Sequence, residues 1–197
     1  MTHDWDAVYT AQQAAPWDIG HPQPAFARLA ARGRLSGRLL DAGCGTGEHT
    51  LLAAAAGADA MGVDVSAQAI QQARRKAAER GLTARFEVAN ALDLGALELT
   101  FGTVLDSGLF HVFDNGDRAR YVASLGMVVE PGGTLYLMCF SDRQPGESGP
   151  RRVRADELRA AFADGWAVAS IVPDTFEINP GFGTMTAQAW LATIGRR

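Results

Sequence analysis

The sequence contains few cysteines, which limits the disulfide and metal chemistry open to it. Its 197 residues include two, Cys44 within a glycine-rich turn and Cys139 within an apolar run. Two are too few for a disulfide framework, and neither has the closely spaced partner of a metal-binding knuckle. We therefore expect two reduced thiols, no bound metal and a cytoplasmic location.

A surplus of positive charge and a long apolar run are also missing. The formal net charge is −4 at pH 7 and the isoelectric point is about 5.5, so the chain has no electrostatic footprint for a nucleic acid. No apolar run approaches the ~20 residues of a membrane span, and the first residues are not a basic-then-apolar leader. These absences predict that the protein binds neither nucleic acid nor membrane. They leave its oligomeric state open.

The segment from Leu39 to Gly47 is the most informative part of the chain. An apolar strand ends in Asp41 and turns through glycines at 43, 45 and 47, which accept positive φ and let a ligand lie against the main chain. A dinucleotide fingerprint would place its third glycine at position 48, which is Glu48. Two carboxylates would repel a pyrophosphate, whereas Asp41 suits a ligand with an ammonium group. The pattern disfavours a nicotinamide-dependent reductase, and a structural strand cap remains the alternative role of Asp41.

Apolar runs alternate with helical patterns along the chain, which predicts a parallel sheet covered by helices on both faces. Five runs are predicted to be parallel strands, at 37–42, 58–64, 84–89, 103–106 and 134–140. Helices are predicted at 48–56, from the N-cap Ser66 to Gly81, at 117–129 and at 156–163. The runs at 166–178 and 184–194 are too close for a crossover helix, so they must pair antiparallel. We expect a Rossmann-like, doubly wound α/β sheet of seven strands, five parallel plus a C-terminal antiparallel hairpin, in a single domain over 1–197.

Three separate motifs together resemble those of class I S-adenosylmethionine-dependent methyltransferases. They are Asp-x-Gly-x-Gly-x-Gly at 41–47, the acidic strand end Gly62-Val63-Asp64, and Glu130-Pro131-Gly132-Gly133, which is expected to stop a helix before the fifth strand. The resemblance implies S-adenosylmethionine as cofactor, with Asp64 accepting both ribose hydroxyls and Asn90 meeting the adenine edge. The cofactor-binding residues expected on this basis are Trp17, Gly20, Asp41, Gly43, Gly45, Gly47, Asp64, Val65, Asn90, Ala91 and Asp106. Helix capping by Asp64 and a turn role for Asn90 remain the alternatives.

The residues after the fourth strand bear on the methyl acceptor. Enzymes that methylate exocyclic base amines need Asp or Asn followed by Pro-Pro-aromatic there, and this chain has Asp106-Ser107-Gly108-Leu109-Phe110-His111 instead. Methylation of nucleic-acid and protein amides is thereby disfavoured. An apolar wall for a small planar acceptor is expected from Leu109, Phe110, Val112 and Phe113. His111 is the candidate general base for a hydroxyl or thiol, and a hydrogen-bonded loop histidine is the alternative.

The N-terminal segment narrows the resemblance further. The segment from Pro16 to Pro24, PWDIGHPQP, and the segment from Asp106 to His111 are both similar to the heterocyclic toxin and thiopurine methyltransferase group. The resemblance implies that residues 1–30 cap the cofactor, with Trp17 over the sulfonium, and that a hydroxyl or thiol of a small aromatic heterocycle is methylated. A hydrophobic-anchor role for Trp17 remains open. Two alternative functions also remain open. One is a tellurite-, halide- or thiol-detoxifying methyltransferase on the same fold, and the other is a nucleoside-binding regulator without catalysis.

Overall fold

The computed structural model describes residues 4–10, 15–147, 149–182 and 186–197. In chain order its helices and strands are α1 (Trp5–Thr10), α2 (Pro24–Ala31), β1 (Arg38–Ala42), α3 (Glu48–Ala55), β2 (Asp59–Asp64), α4 (Ala67–Glu79), β3 (Arg85–Val88), β4 (Phe101–Ser107), α5 (Asn115–Val128), β5 (Val129–Phe140), α6 (Ala155–Ala161), β6 (Trp166–Glu177) and β7 (Thr186–Arg196). Short 3₁₀ segments occur at Ala91–Leu97, Phe110–Val112 and Pro180–Phe182. None of the helices formed within these ranges is long and apolar enough to cross a membrane.

The strands form one sheet in the order β3-β2-β1-β4-β5-β7-β6. Strands β1 to β5 are parallel, and β7 runs antiparallel to both β5 and β6. The predicted fold class is confirmed, with most element ends shifted by one to three residues; the predicted start of the last strand, residue 184, lies outside the described residues. The strand order reverses between β1 and β4, and ligands of such sheets bind outside the carboxyl ends of the strands at that point. Asp41 and Asp106 lie at those two ends.

Both faces of the central strands are buried, which explains why these strands appear as continuous apolar runs in the sequence. Successive residues of a strand point to opposite faces. Leu40 packs on one face with Tyr121 of α5, and its neighbour Leu39 packs on the other with Phe26 of α2. The helices thus hold the carboxyl ends of β1 and β4 in a fixed position beneath the predicted ligand crevice.

The fifth strand begins earlier than the sequence predicts. Helix α5 ends at Val128 and β5 begins at the next residue, so the segment Glu130 to Gly133 lies inside the strand, opposite a shift in the pairing register of β4. Gly132 has a φ of 81°, and a Cβ on Gly133 would lie 2.8 Å from the Glu130 carbonyl oxygen. The segment stops the helix as expected, but it does so as an irregularity of β5 and not as a separate turn.

Candidate functional site

The glycine turn after β1 forms the floor of the site. Gly43, Gly45 and Gly47 have φ values of 72°, 51° and 88°, a region in which other residues are strained. A Cβ on Gly47 would lie 2.8 Å from both Ala73 and Phe86, and a Cβ on Gly45 would lie 2.8 Å from the Tyr9 hydroxyl. Gly47 therefore permits packing against α4 and β3, while Gly45 leaves bare main chain under the N-terminal segment.

Asp41 is fully buried at the end of β1, next to this turn. Its Oδ2 accepts a hydrogen bond from the Thr50 hydroxyl at 2.7 Å, whereas Oδ1 has no hydrogen-bond partner among the described residues. Burial raises the pKa of this carboxyl to about 7. A buried oxygen without a partner is costly, and an ammonium with three N–H donors would satisfy it. The ammonium contact stays a prediction, and this geometry fits it.

Asp64 ties the end of β2 to the glycine turn. Its Oδ2 accepts from the Gly45 N–H and its Oδ1 accepts from the Ser66 N–H, both at 2.9 Å. Burial raises the pKa of this carboxyl. The predicted N-cap of α4 is Ser66, whose Oγ accepts from the Ala69 N–H. Each Asp64 oxygen retains a lone pair, so the predicted ribose contact is compatible with these bonds.

The adenine side of the site lies at the ends of β2 and β3. The Asn90 side chain accepts from the Leu92 N–H at 3.0 Å and caps the 3₁₀ segment that begins at Ala91, which matches its alternative role as a turn residue. Val65 and Val88 are exposed by 46% and 54% beside these strand ends. Two large apolar side chains that are open to solvent at the predicted adenine position suit contact with a planar ring. Adenine contacts by Val65, Asn90 and Ala91 remain predictions.

Asp106 holds the turn after β4. Asp106 is fully buried; its Oδ1 accepts from the Leu109 N–H at 2.8 Å, and its Oδ2 accepts from the Phe110 N–H at 3.1 Å. Burial raises the pKa of this carboxyl to about 7. The Asp106 oxygens therefore support the turn that carries His111, and contact of this buried carboxyl with the cofactor stays a prediction.

The His111 ring is buried and held by a main-chain donor of a neighbouring strand. Its Nδ1 accepts a hydrogen bond from the Phe140 N–H at 2.9 Å, and its ring lies between Phe140 and Phe176, with centroids at 5.1 and 6.0 Å. Burial first, and then the positive charges of Arg118 and Arg152, lower the pKa of the imidazole to about 3. A group with so low a proton affinity is a poor general base near neutral pH, and the bond to the Phe140 N–H favours the loop-histidine alternative. The general-base role itself stays a prediction.

The predicted apolar wall is only partly correct. Leu109 lies over the glycine turn, 3.0 Å from a Cβ placed on Gly43, and Val112 is 41% exposed. Phe110 instead points into the core, under the Arg118 guanidinium at 4.7 Å. Phe113 packs on Tyr121. Four of the five residues from Leu109 to Phe113 are apolar, but the 3₁₀ turn directs Phe110 and Phe113 inward, so only Leu109 and Val112 can line the site.

The N-terminal segment covers the glycine turn. Trp17 is 45% exposed, and its Nε1 donates to the Tyr9 hydroxyl at 3.1 Å, the hydroxyl that lies over Gly45. Asp18 accepts from the Thr46 hydroxyl, and Gly20, with a φ of 75°, follows in an open turn. The contact of Trp17 with the sulfonium stays a prediction, and residues 1–3 and 11–14 of the expected cap lie outside the described residues. Tyr9 was missed because an isolated tyrosine carries no motif.

Known proteins resemble this chain in sequence and in fold. A family model described as a methyltransferase domain matches residues 39–133. A 2-heptyl-1-hydroxyquinolin-4(1H)-one methyltransferase of Mycobacteroides abscessus is 38% identical over 161 residues, covering 80% of this chain and 71% of the relative. A probable thiol methyltransferase 2 of Arabidopsis thaliana is 27% identical over 190 residues, covering 94% and 83%. A solved structure from work on the conversion of a disulfide bond into a thioacetal group during echinomycin biosynthesis is 39% identical, covers 100% of this chain and 93% of its own, and superposes with a TM-score of 0.89.

Proposed function

The chain belongs to the class I S-adenosylmethionine-dependent methyltransferases, and we propose that it methylates an oxygen or sulfur atom of a small aromatic heterocycle. The observation that carries the choice of O or S over N is the segment after β4, where Asp106 is followed by Ser107 and Gly108 and not by Pro-Pro-aromatic. An amine acceptor needs an oxygen that takes its hydrogens, and the Asp106 carboxyl is fully buried and holds main-chain N–H groups at both oxygens. A hydroxylate or thiolate has no hydrogens left to place, so it needs no such acceptor.

The names of the relatives support the same acceptor class. One relative is named for a hydroxyquinolinone, a small planar heterocycle, and another for a thiol. The acceptor side of this chain offers apolar surface from Leu109 and Val112 at the carboxyl edge of the sheet, with the Phe140 ring packed on the buried Phe176 beside them. Such surface suits a planar, largely apolar acceptor.

The protein's own part in the reaction is to bind and align. When bound, S-adenosylmethionine supplies a methyl group on a sulfonium. In this proposal Asp41 holds the ammonium, the bare main chain of the glycine turn receives the methionyl tail, and Asp64 and Asn90 hold ribose and adenine. Tyr9 and Trp17, within a cap formed by residues 1–30 of a single domain, cover the turn and exclude water. Alignment of nucleophile and methyl carbon can supply most of the acceleration of such a displacement.

A screen of acceptors tests the proposal. Purified protein with S-adenosylmethionine is offered hydroxyquinolones, heteroaryl thiols, an alkane thiol and a primary aromatic amine, and products are located by mass and NMR. We expect O- or S-methylated heterocycles as the best products. Transfer to the amine alone would overturn the acceptor assignment.

Both cysteines are free thiols, which suits the reducing cytoplasm that we propose as the location of the protein.

Replacing Asp64 by Asn tests the nucleoside half of the site. We expect the affinity for S-adenosylhomocysteine to fall about tenfold. The Asp64 carboxylate has two acceptor oxygens for two main-chain N–H groups and the ribose hydroxyls, whereas the Asn side chain has one acceptor oxygen. Calorimetric titration measures the change. Asp59→Asn, an exposed carboxylate at the other end of β2, is the control and should bind like the wild type. Equal affinity of Asp64→Asn and wild type would remove Asp64 from the site.

A further inference from the structure

The hydrogen bond to His111 fixes which ring nitrogen carries the proton. A main-chain N–H can only donate, and the Phe140 N–H points to Nδ1 at 2.9 Å. Nδ1 is therefore the acceptor, and in the neutral ring the hydrogen is on Nε2. His111 thus presents an N–H donor at its outer nitrogen and has no free lone pair with which to take a proton.

The outer nitrogen lies at the edge of the predicted acceptor site. Gly108, in the same turn, has a φ of 88°, and a Cβ there would lie 3.4 Å from Cε1 and Nε2 of His111. The missing side chain leaves this side of the ring uncovered, while Leu109 of that turn lies over Gly43. Within the described part of the chain, no group accepts a hydrogen bond from Nε2. His111 as a whole is 6% exposed, so the residue is buried but not sealed from solvent.

Two guanidinium groups make the surroundings of the ring positive. The Arg118 side chain is 7% exposed, donates from Nε to the Phe110 carbonyl at 3.2 Å, and its Nη2 has no hydrogen-bond partner among the described residues. The carboxylate near it, Glu157, is 3.8 Å from Nη1 and is shared with Arg151. Arg152 lies over the Phe140 ring and donates to loop carbonyls. The Arg118 charge, which the shared Glu157 compensates only in part, stabilises an anion in this buried region.

We propose that His111 donates its Nε2–H to the acceptor's oxygen or sulfur anion, and that the enzyme selects acceptors that ionise in water before methyl transfer. This rests on the proposed function and names its acceptor as an anion. The acceptor first releases its proton to bulk water. Its lone pair then forms the bond to the methyl carbon, the carbon–sulfur bond breaks, and that electron pair stays on the sulfur of S-adenosylhomocysteine. His111 holds and orients the anion and takes no proton.

Three substitutions at one position test the proposal. His111→Gln places an amide N–H near the position of Nε2 but cannot take a proton. His111→Asn keeps an oxygen near Nδ1 for the Phe140 N–H and has nothing at Nε2, and His111→Ala removes both. We expect kcat/KM of the Gln variant within about threefold of wild type and that of the Asn and Ala variants about tenfold lower or more. A Gln variant as slow as the Ala variant would overturn the donor role.

The pH profile gives an independent readout. The charged groups acting on the ring are Arg118 and Arg152, and Asp106 and Asp41 lie at the neighbouring strand ends. Acceptors that ionise above about pH 7.5 are therefore used, so that their titration lies above that of the two carboxyls. We expect the acidic limb of kcat/KM to move with the acceptor's own ionisation and to persist in the Gln variant. A limb at one pH for all acceptors, lost in the Gln variant, would show proton abstraction by His111 instead.

The controls keep this inference separate from the proposed function. Arg75→Gln, which changes an exposed side chain of α4 paired with Glu79, should behave like the wild type, and S-adenosylhomocysteine affinity reports whether each variant is folded. The variants are assayed on whichever acceptor the wild type methylates. If the wild type methylates only the alkane thiol, the assignment of a heterocyclic acceptor is overturned. The His111 variants can then be compared on that thiol, and the comparison still distinguishes a hydrogen-bond donor from a general base.

Discussion

Asp41→Asn is expected to weaken S-adenosylhomocysteine binding on the order of a hundredfold while preserving the fold. The side chain is fully buried; Oδ2 is held by the Thr50 hydroxyl, and Oδ1 has no protein partner among the described residues. Asn keeps the size of Asp and an oxygen for Thr50, but it removes the charge that would meet the ammonium. Charge-assisted hydrogen bonds contribute about 1.5–3 kcal/mol, and an ammonium facing an amide hydrogen adds a further loss. Calorimetric titration measures the affinity.

A ligand without the amino-acid tail provides the matched control. Methylthioadenosine shares the adenosine and thioether of S-adenosylhomocysteine but has no ammonium, so wild type and Asp41→Asn should bind it equally. Two ligands and two proteins form a thermodynamic cycle whose coupling free energy reports the contact itself. An equal loss of affinity for both ligands would mean that Asp41 only supports the turn, and its role as a strand cap would then be correct.

Features of the site that depend on local sequence could be predicted. Glycines at 43, 45 and 47 adopt positive φ because residue type alone permits it, and Ser66 caps α4 because a hydroxyl before a helix can reach its third N–H. The order of apolar runs was sufficient for the sheet, since two strands joined by so few residues must pair antiparallel. These signals lie within a few residues of the feature that they determine.

Side-chain partners from distant parts of the chain could not be predicted. The donor that fixes the tautomer of His111 is the main chain of Phe140 at the end of β5, and the group over Gly45 is Tyr9 from α1. The letters Asp-Ser-x-Leu-Phe-His allow a carboxylate that contacts the cofactor or one that closes the turn. The backbone path after β4, which the sequence does not reveal, directs two N–H groups at Asp106 and turns Phe110 into the core.

Cofactor affinity is expected to fall steeply as the pH drops below neutrality. Burial raises the pKa of Asp41 to about 7, so at lower pH the carboxyl of the cofactor-free protein is protonated and must lose its proton before it can pair with an ammonium. Each pH unit below about 7 then lowers the affinity about tenfold, or roughly thirtyfold between about pH 7.5 and 5.5. Calorimetry in buffers of different ionisation enthalpy measures both the affinity and the released proton.

The Asp41→Asn variant shows which carboxyl releases the proton on cofactor binding. It lacks the Asp41 carboxyl but retains the other buried carboxyls, Asp106 with a pKa of about 7 and Asp64 with a raised pKa. We expect a pH-independent affinity in the variant, and a slope that survives there would assign the proton to one of those two groups.

The stability of the protein without cofactor has the opposite pH dependence. The folded Asp41 keeps a proton that the unfolded chain loses near 3.8, so the free energy of unfolding of wild type, relative to Asp41→Asn, should decline from about pH 4 to about pH 7. A relative stability that rises across this range would contradict a raised pKa at Asp41, and with it the view that this carboxyl is left unpaired until an ammonium arrives.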